Sequence, residues 1–267
     1  MTMHDSGHDT PLHFEHAGDG PHVVLIHAGV ADSRMWDPQW AAWQTRFALT
    51  RLDLRGFGRS GRQTGSFSHA ADVLAVLDAV GIHRAALVGA SFGGRVALEL
   101  ALQAPDRVAA LALLDASLDR YEASDERTAF EAAEEAAIDA GDLEGAVALN
   151  VRTWVTRDGR DVDPAVAELV ATMQRDAFVA QLGVDAELEE LDPPIADRLG
   201  EIGVPALVMV GEDDMVDFHR IAARLAGELP GAGAVVTIPG AAHLPALERP
   251  AETADALVAF LSRDAPR

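Results

Sequence analysis

Short apolar runs alternate with segments of helical periodicity along most of this chain. A continuous run of about four to eight apolar residues is typical of a buried strand, and apolar positions about three to four residues apart are typical of an amphipathic helix. The predicted strands cover residues 22–26, 47–53, 84–89, 108–114, 204–210 and 234–238. The predicted helices cover residues 69–80, 92–103 and 251–261. This alternation predicts an α/β fold with a mostly parallel sheet.

Residues 118–196 interrupt the alternation. The segment is rich in Ala and Glu, and we expect it to be helical throughout because it has no strand-like run. The paired prolines of Asp192-Pro193-Pro194 mark its far end, since proline stops a helix. We therefore expect a core made of residues 1–117 and 197–267, with residues 118–196 inserted between two of its strands.

The run Gly89-Ala90-Ser91-Phe92-Gly93 stands between a predicted strand and a predicted helix. A serine in this Gly-x-Ser-x-Gly pattern is typical of the nucleophile elbow of serine hydrolases. The sharp turn brings the strand and helix backbones together, and small flanking residues permit that approach. We therefore predict that Ser91 is a nucleophile.

A serine hydroxyl needs a neighbouring base, and the base needs an orienting carboxylate. With this type of elbow the acid and then the base follow the nucleophile along the chain. Asp214 directly follows strand 204–210 and His243 follows the last strand, at the strand ends where parallel α/β sheets bind ligands. We predict Asp214 as the acid and His243 as the base. The alternatives for the acid are Asp115, Asp213 and Asp217.

The loop after strand 22–26 is expected to help stabilise an oxyanion, which needs two preorganised N–H donors. One donor is expected to be the backbone N–H of Phe92, next to the nucleophile. The second is expected from Gly29, with Val30 as the alternative. His27 could be a second base, but we interpret it as a structural histidine that hydrogen-bonds within its loop.

Side chains near these loops could form an apolar substrate pocket. The predicted substrate-binding residues are Val30, Arg34, Trp36, Trp154 and Leu244. A guanidinium binds a carboxylate through two hydrogen bonds, so Arg34 or Arg95 could hold an acidic substrate. The alternative is core packing for the apolar residues and surface ion pairs for the arginines.

Composition narrows the possible functions. The 267 residues include no cysteine and no lysine, which excludes disulfides, thiolate metal sites and lysine Schiff bases. The net charge of −22 disfavours binding to nucleic acid or to anionic membranes. No apolar run approaches the ~20 residues that span a bilayer, and no signal-peptide pattern is present. We expect a soluble, cytoplasmic monomer or homodimer with a small-molecule substrate, no metal and no cofactor.

Four sequence blocks together resemble the α/β-hydrolase superfamily, in particular its small cap-bearing members. The blocks are His27-Ala28-Gly29, residues 53–60, the elbow at 89–93, and Gly211-x-x-Asp214 with Gly240-x-x-His243. The family usually has His-Gly where this chain has His27-Ala28. The resemblance implies an eight-stranded, mostly parallel sheet flanked by helices, with a helical cap over residues 118–196. It also implies that Ser91, Asp214 and His243 are the nucleophile, acid and base.

Serine at the elbow distinguishes among the reactions of this superfamily. Its members that open epoxides or displace halide use an aspartate there, so Ser91 indicates acyl transfer. The first hypothesis is a hydrolase of small or medium carboxylic esters that forms an acyl-enzyme. The alternatives are a C–C bond or enol-lactone hydrolase acting on ring-cleavage products, and a non-catalytic ligand-binding member of the fold.

Overall fold

The central sheet sets the position of every predicted catalytic residue. The computed structural model describes residues 12–63, 65–157 and 159–266. Within them the sheet has seven strands in the order β1-β3-β2-β5-β6-β8-β9. These are β1 Phe14–Ala17, β2 His22–Ile26, β3 Ala48–Leu52, β5 Ala85–Ala90, β6 Val108–Leu114, β8 Ala206–Gly211 and β9 Val236–Ile238. Strand β1 pairs antiparallel with β3, and the other pairs of this sheet are parallel.

The α/β expectation is confirmed, but the central sheet has seven strands rather than eight. Two further strands, β4 Gly65–Phe67 and β7 Ala186–Leu188, pair with each other in a separate two-stranded sheet. Strand β7 also corrects the expectation that residues 118–196 are helical throughout. Strand β1 went unpredicted because it is half-buried along its length and has no apolar run.

Strands β5 and β6 are buried at every residue, so neither face of the sheet is exposed to water there. Helices cover both faces, as is usual for a parallel sheet. These helices are α1 Asp37–Trp43, α2 His69–Val80, α3 Phe92–Gln103, α7 Val216–Glu228, α8 Pro245–Glu248 and α9 Pro250–Asp264. Helix α2 shows how the sequence sets their ends. Ser68 accepts a hydrogen bond from the Ala71 N–H at its start, and Gly81 ends it in the left-handed conformation.

Among the described residues, three α-helices lie between β6 and β8 along the chain. They are α4 Asp125–Asp139, α5 Leu143–Val151 and α6 Pro164–Gln181, and a π-helical turn, Arg152–Thr156, continues α5. Helix α5 packs against both α4 and α6. The assignment of residues 118–196 as a cap domain stays a prediction. In the described parts of the chain, no helix is long and apolar enough to cross a membrane.

Strands β5, β6, β8 and β9 lie side by side and run parallel, so their carboxyl ends meet at one edge of the sheet. The segments that follow these four strands carry Ser91, Asp115, Asp214 and His243. The topology therefore gathers residues that are up to 152 positions apart in sequence.

Candidate active site

Ser91 occupies the sharp turn between β5 and α3. Its φ of 49° is a conformation that residues with a side chain rarely adopt, and such strain is common at functional sites. The backbones on either side lie in close contact. A Cβ on Gly89 would overlap the backbone of Gly93, and one on Gly93 would overlap the carbonyl of Ile26. The glycines of the motif are thus required by the approach of strand and helix.

Ser91, His243 and Asp214 form one continuous hydrogen-bonded chain. The Ser91 Oγ lies 2.8 Å from His243 Nε2, and His243 Nδ1 lies 2.8 Å from Asp214 Oδ2. The second carboxylate oxygen of Asp214 accepts the Met215 N–H at 2.7 Å. A carboxylate can only accept, so it holds the proton on Nδ1 and leaves Nε2 free to accept the serine proton. All three residues are buried.

Two aromatic rings enclose His243. The ring centroids of Trp154 and Phe218 lie 4.6 Å and 4.2 Å from that of the imidazole. The backbone N–H of His243 also donates to the carbonyl of Trp154 at 3.2 Å. Trp154 lies in the π-helical turn after α5, so the helical insertion contacts the predicted base directly.

A buried ion pair holds the loop that carries His243. The carboxylate of Glu248 accepts the N–H groups on both sides of the histidine, from Ala242 at 3.1 Å and Leu244 at 2.9 Å. Arg160 donates to the same carboxylate at 2.8 Å and to the carbonyl of Gly240 at 2.7 Å. The Glu248 side chain is 1% exposed, so this charge depends on its arginine partner. Sequence reasoning missed both residues, which lie 88 positions apart.

Two of the alternative acids are engaged elsewhere. The Asp213 carboxylate accepts a hydrogen bond from Arg160 Nε at 2.9 Å. The Asp217 carboxylate accepts from the backbone N–H and the hydroxyl of Ser124. Neither bonds to His243 in the described structure, so both serve to join the helical insertion to the core.

Asp115 lies beside the hydrogen-bonded chain without entering it. Its Oδ1 accepts the Gly211 N–H at 2.7 Å, and its Oδ2 is buried without a hydrogen-bond partner among the described residues. Burial raises the pKa of Asp115 well above its usual range, and the charge of Asp214 raises it further. One oxygen from each aspartate and one nitrogen of His243 lie within 4.8 Å of one another, close enough to hold a metal ion. Both ring nitrogens of His243 are already hydrogen-bonded, which favours a proton relay over metal ligation.

A cavity of about 450 Å³ opens onto Ser91 and His243. This volume lies within the range of small-molecule sites. The predicted oxyanion donors Phe92 and Gly29, and the alternative Val30, all line it. Phe92 is the first residue of α3, so its N–H has no acceptor within the helix. A second hollow, of about 560 Å³, is lined by neither Ser91 nor His243.

His27 supports the loop that carries Gly29. Its Nδ1 donates to the carbonyl of Ala28 at 2.8 Å, and its Nε2 accepts the N–H of Leu54 at 2.9 Å. Burial lowers the pKa of His27, which favours the neutral ring that this pair of bonds requires. These contacts agree with the interpretation of His27 as a structural histidine.

The structure brings only part of the predicted substrate pocket together. Val30 and Trp154 line the cavity, but Arg34, Trp36 and Leu244 do not. Trp36 and Leu244 are fully buried in the core, which corrects the expectation that they contact substrate.

Arg34 is bound elsewhere, which corrects its predicted role as well. Its guanidinium pairs with Asp32 at 2.6 Å and with Asp176 of α6 at 2.8 Å. Arg95 does line the cavity, together with Arg127 of α4. Further residues that sequence reasoning missed are Phe57, Phe130, Gln174, Gln181, Phe218 and Ile221.

The comparisons with known proteins agree with this geometry. Residues 21–250 match the sequence model of a family described as alpha/beta hydrolase fold. The carboxylesterase YbfK of Bacillus subtilis is 27% identical over 263 residues, covering 91% of this chain and 81% of the relative. A thermophilic esterase from Thermogutta terrifontis has a TM-score of 0.78 and 26% identity, covering 94% of this chain and 93% of the other. The enol-lactonase from Burkholderia xenovorans LB400 has a TM-score of 0.77 and 26% identity, covering 94% and 96%.

Proposed function

We propose that this chain, which belongs to the α/β-hydrolase family, is a serine hydrolase. Its substrates are small or medium carboxylic esters, which it cleaves through an acyl-enzyme on Ser91. The observation that carries the proposal is the 2.8 Å hydrogen bond from Ser91 Oγ to His243 Nε2. The bond from His243 to Asp214 extends it into the acid–base–nucleophile arrangement that activates a serine.

In the acylation step, Ser91 Oγ attacks the ester carbonyl carbon and transfers its proton to His243 Nε2. The imidazolium that forms keeps its Nδ1–H bond to the Asp214 carboxylate, which stabilises the positive charge. The carbonyl oxygen becomes an oxyanion held by the N–H groups of Phe92 and of Gly29 or Val30. The C–O bond to the alcohol then breaks, and His243 returns the proton to the leaving oxygen.

In the deacylation step, water replaces the alcohol. His243 Nε2 takes a proton from the water, whose oxygen attacks the acyl carbon, and the same N–H donors hold the second oxyanion. Collapse of this intermediate releases the carboxylic acid and returns the proton to Ser91 Oγ. Trp154 and Phe218 pack on the imidazole, so the ring keeps one orientation through both steps.

The cavity supports an ester of limited size. Its volume of about 450 Å³ is at the lower end of the range for small-molecule sites, and aromatic side chains such as Phe57, Phe130 and Phe178 line it. We propose that the helical insertion acts as a cap, because residues of α4, α5 and α6 line the cavity together with Ser91.

Steady-state hydrolysis of p-nitrophenyl esters of increasing acyl length tests the proposal. We expect turnover by the native chain and none above background by Ser91→Ala, with an optimum acyl length that reflects the cavity. Equal turnover by both proteins would show that Ser91 is not the nucleophile. A fluorophosphonate that fails to label the folded native chain would favour the non-catalytic alternative.

A lactone is the second candidate substrate. The similarity to an enol-lactonase over 94% of this chain favours it. The same acyl-enzyme chemistry opens a lactone ring. Rates on an enol-lactone with a ring carboxylate, compared with those on a simple p-nitrophenyl ester, would rank the two substrates.

A further inference from the structure

Gln174 of α6 is a buried polar residue whose side chain has an unmet hydrogen-bonding requirement. The residue is 5% exposed, and its Oε1 is buried without a hydrogen-bond partner among the residues that the structure describes. Eight side-chain atoms among the described residues share this property, and Gln174 is the one of them that lines the cavity of Ser91 and His243. Buried polar groups are rarely left unpaired in native proteins, and the cavity that Gln174 lines is where a bound substrate can supply a partner for its carboxamide.

The neighbouring polar side chains of the same wall are satisfied. The Asn150 amide donates to Glu134 at 2.5 Å and to the Ala146 carbonyl at 3.0 Å, and its oxygen accepts the Trp154 indole N–H at 3.0 Å. The Gln181 amide donates to the carbonyl of Gly56 at 3.2 Å. Gln174 is therefore an exception in a wall whose other carboxamides are hydrogen-bonded.

A carboxamide offers a carbonyl acceptor and N–H donors next to each other. A secondary amide offers the same pair, so the two groups can hydrogen-bond whichever way the Gln174 amide is turned. We propose that Gln174 is a specificity-determining residue that binds a secondary amide in the substrate, a few bonds from the scissile ester. This inference rests on the proposed ester hydrolysis and specifies its substrate class.

Two matched series of esters test the inference. In the first, the acyl chain of a p-nitrophenyl ester is hexanoyl, 5-oxohexanoyl or N-acetyl-β-alanyl, which have the same number of chain atoms. In the second, butyrate is esterified with pentanol or with N-acetylethanolamine, and acid release is titrated. Rates are divided by those of alkaline hydrolysis to remove differences in intrinsic reactivity.

For the native chain we expect the amide ester of at least one series to have a kcat/KM about tenfold above its hydrocarbon match. In Gln174→Leu this ratio should fall toward one, because the side chain can no longer pair with the amide. The Gln174→Met variant, which keeps the length of the side chain, should give the same result. It serves as the second variant if the leucine does not fold.

Stability gives an independent readout. Replacing an unpaired buried amide by an apolar group removes a desolvation cost, so Gln174→Leu should raise Tm by about 3 °C. Gln181→Leu is the matched control, since it removes a glutamine of the same cavity that is already hydrogen-bonded to Gly56. That variant should lower Tm, because it removes a hydrogen bond that Gln174 does not have.

Binding of the acid products separates this inference from the proposed function. N-acetyl-β-alanine should raise the Tm of the native chain more than hexanoate does, and this difference should vanish in Gln174→Leu. A native chain that hydrolyses no ester but keeps this difference would contradict the proposed function alone. The role of Gln174 would be overturned if both proteins hydrolyse the esters and the ratio of amide to hydrocarbon kcat/KM is the same in the native chain and in Gln174→Leu. This must hold in both series, and the two acid products must also raise Tm equally.

Discussion

The assignment of Asp214, rather than Asp115, as the acid gives the sharpest test of the site. Both lie next to His243, but Asp214 alone of the two bonds to its Nδ1. We compare Asp214→Asn with Asp115→Asn, because each change keeps the shape of the side chain and removes one carboxylate. The structure predicts very different outcomes for the two variants.

In Asp214→Asn the side chain has one acceptor oxygen for the two N–H groups, of Met215 and His243, that the carboxylate binds. If its oxygen keeps the Met215 N–H, its NH₂ faces His243 Nδ1 and forces the ring proton onto Nε2. A protonated Nε2 cannot accept the hydroxyl proton of Ser91. If the amide turns over, its NH₂ opposes the Met215 N–H, and leaving buried donors unpaired costs about 1–3 kcal/mol. Loss of the correct tautomer lowers kcat by a factor on the order of 10⁴, which corresponds to ~5.5 kcal/mol of activation free energy.

In Asp115→Asn the contacts are retained. The asparagine oxygen can accept the Gly211 N–H as Oδ1 does, and its NH₂ takes the place of the unpaired Oδ2. Because burial raises the pKa of Asp115, this carboxyl is readily protonated, and a neutral amide is a close substitute. We expect kcat to fall by less than about tenfold, so the two variants should differ by on the order of 10³.

The assay is the initial rate on p-nitrophenyl butyrate at saturating ester. Thermal denaturation is followed in parallel to show that both variants fold. Nitrogen chemical shifts of His243 in each variant would report the tautomer directly. A large loss in Asp115→Asn with only a small one in Asp214→Asn would refute the reasoning and identify Asp115 as the acid.

Three further predictions follow from buried groups. Arg160→Met leaves the Glu248 carboxylate buried without its cation. We expect a lower kcat, measured by ester kinetics, and a loss of about 3–5 kcal/mol in the free energy of unfolding, measured by urea denaturation. Burial lowers the pKa of His69 in the folded chain to about 4. The unfolded chain therefore binds a proton at this histidine at a higher pH than the folded chain does. The free energy of unfolding should fall by up to ~3 kcal/mol as pH drops from about 6.5 to 4. His69→Leu should flatten that decline in urea midpoints, and an unchanged slope would show that His69 does not contribute. Gly93→Ala should prevent accumulation of folded protein on expression, because its Cβ would overlap the Ile26 carbonyl; a folded, active variant would contradict the close approach.

The sequence predicted the features of this fold that depend on local pattern. Strands β2 and β6, and helices α2 and α3, have the predicted bounds, because continuous apolar runs and helical spacing are local signals. The elbow at Ser91 was recognisable because its serine and its glycines lie within five consecutive residues. Chain order and strand ends indicated His243 and favoured Asp214 while leaving Asp115, Asp213 and Asp217 as alternatives, and the structure brings His243 and Asp214 together.

The features that the sequence did not predict depend on side-chain direction or on distant contacts. Leu244 follows His243 in sequence, yet its side chain packs in the core, since neighbouring residues of a turn point in different directions. Arg160 and Glu248 look like ordinary charged residues until the fold places them around the His243 loop. Gln174 belongs to no sequence motif, because the argument for it depends on the hydrogen-bond partner that its Oε1 lacks among the described residues.

The segment around Trp154 and Arg160 has a consequence for how this enzyme can diversify. The same stretch that borders the cavity also holds the histidine loop, through the Trp154 carbonyl and the Arg160 guanidinium. Substitutions there would alter catalytic rate together with substrate choice, so selection could not adjust one without disturbing the other. Helix α6 carries Gln174 and Phe178 on the cavity wall without such a tie to the histidine loop among the described contacts. New specificities are therefore most accessible through α6, and combinatorial libraries should begin there.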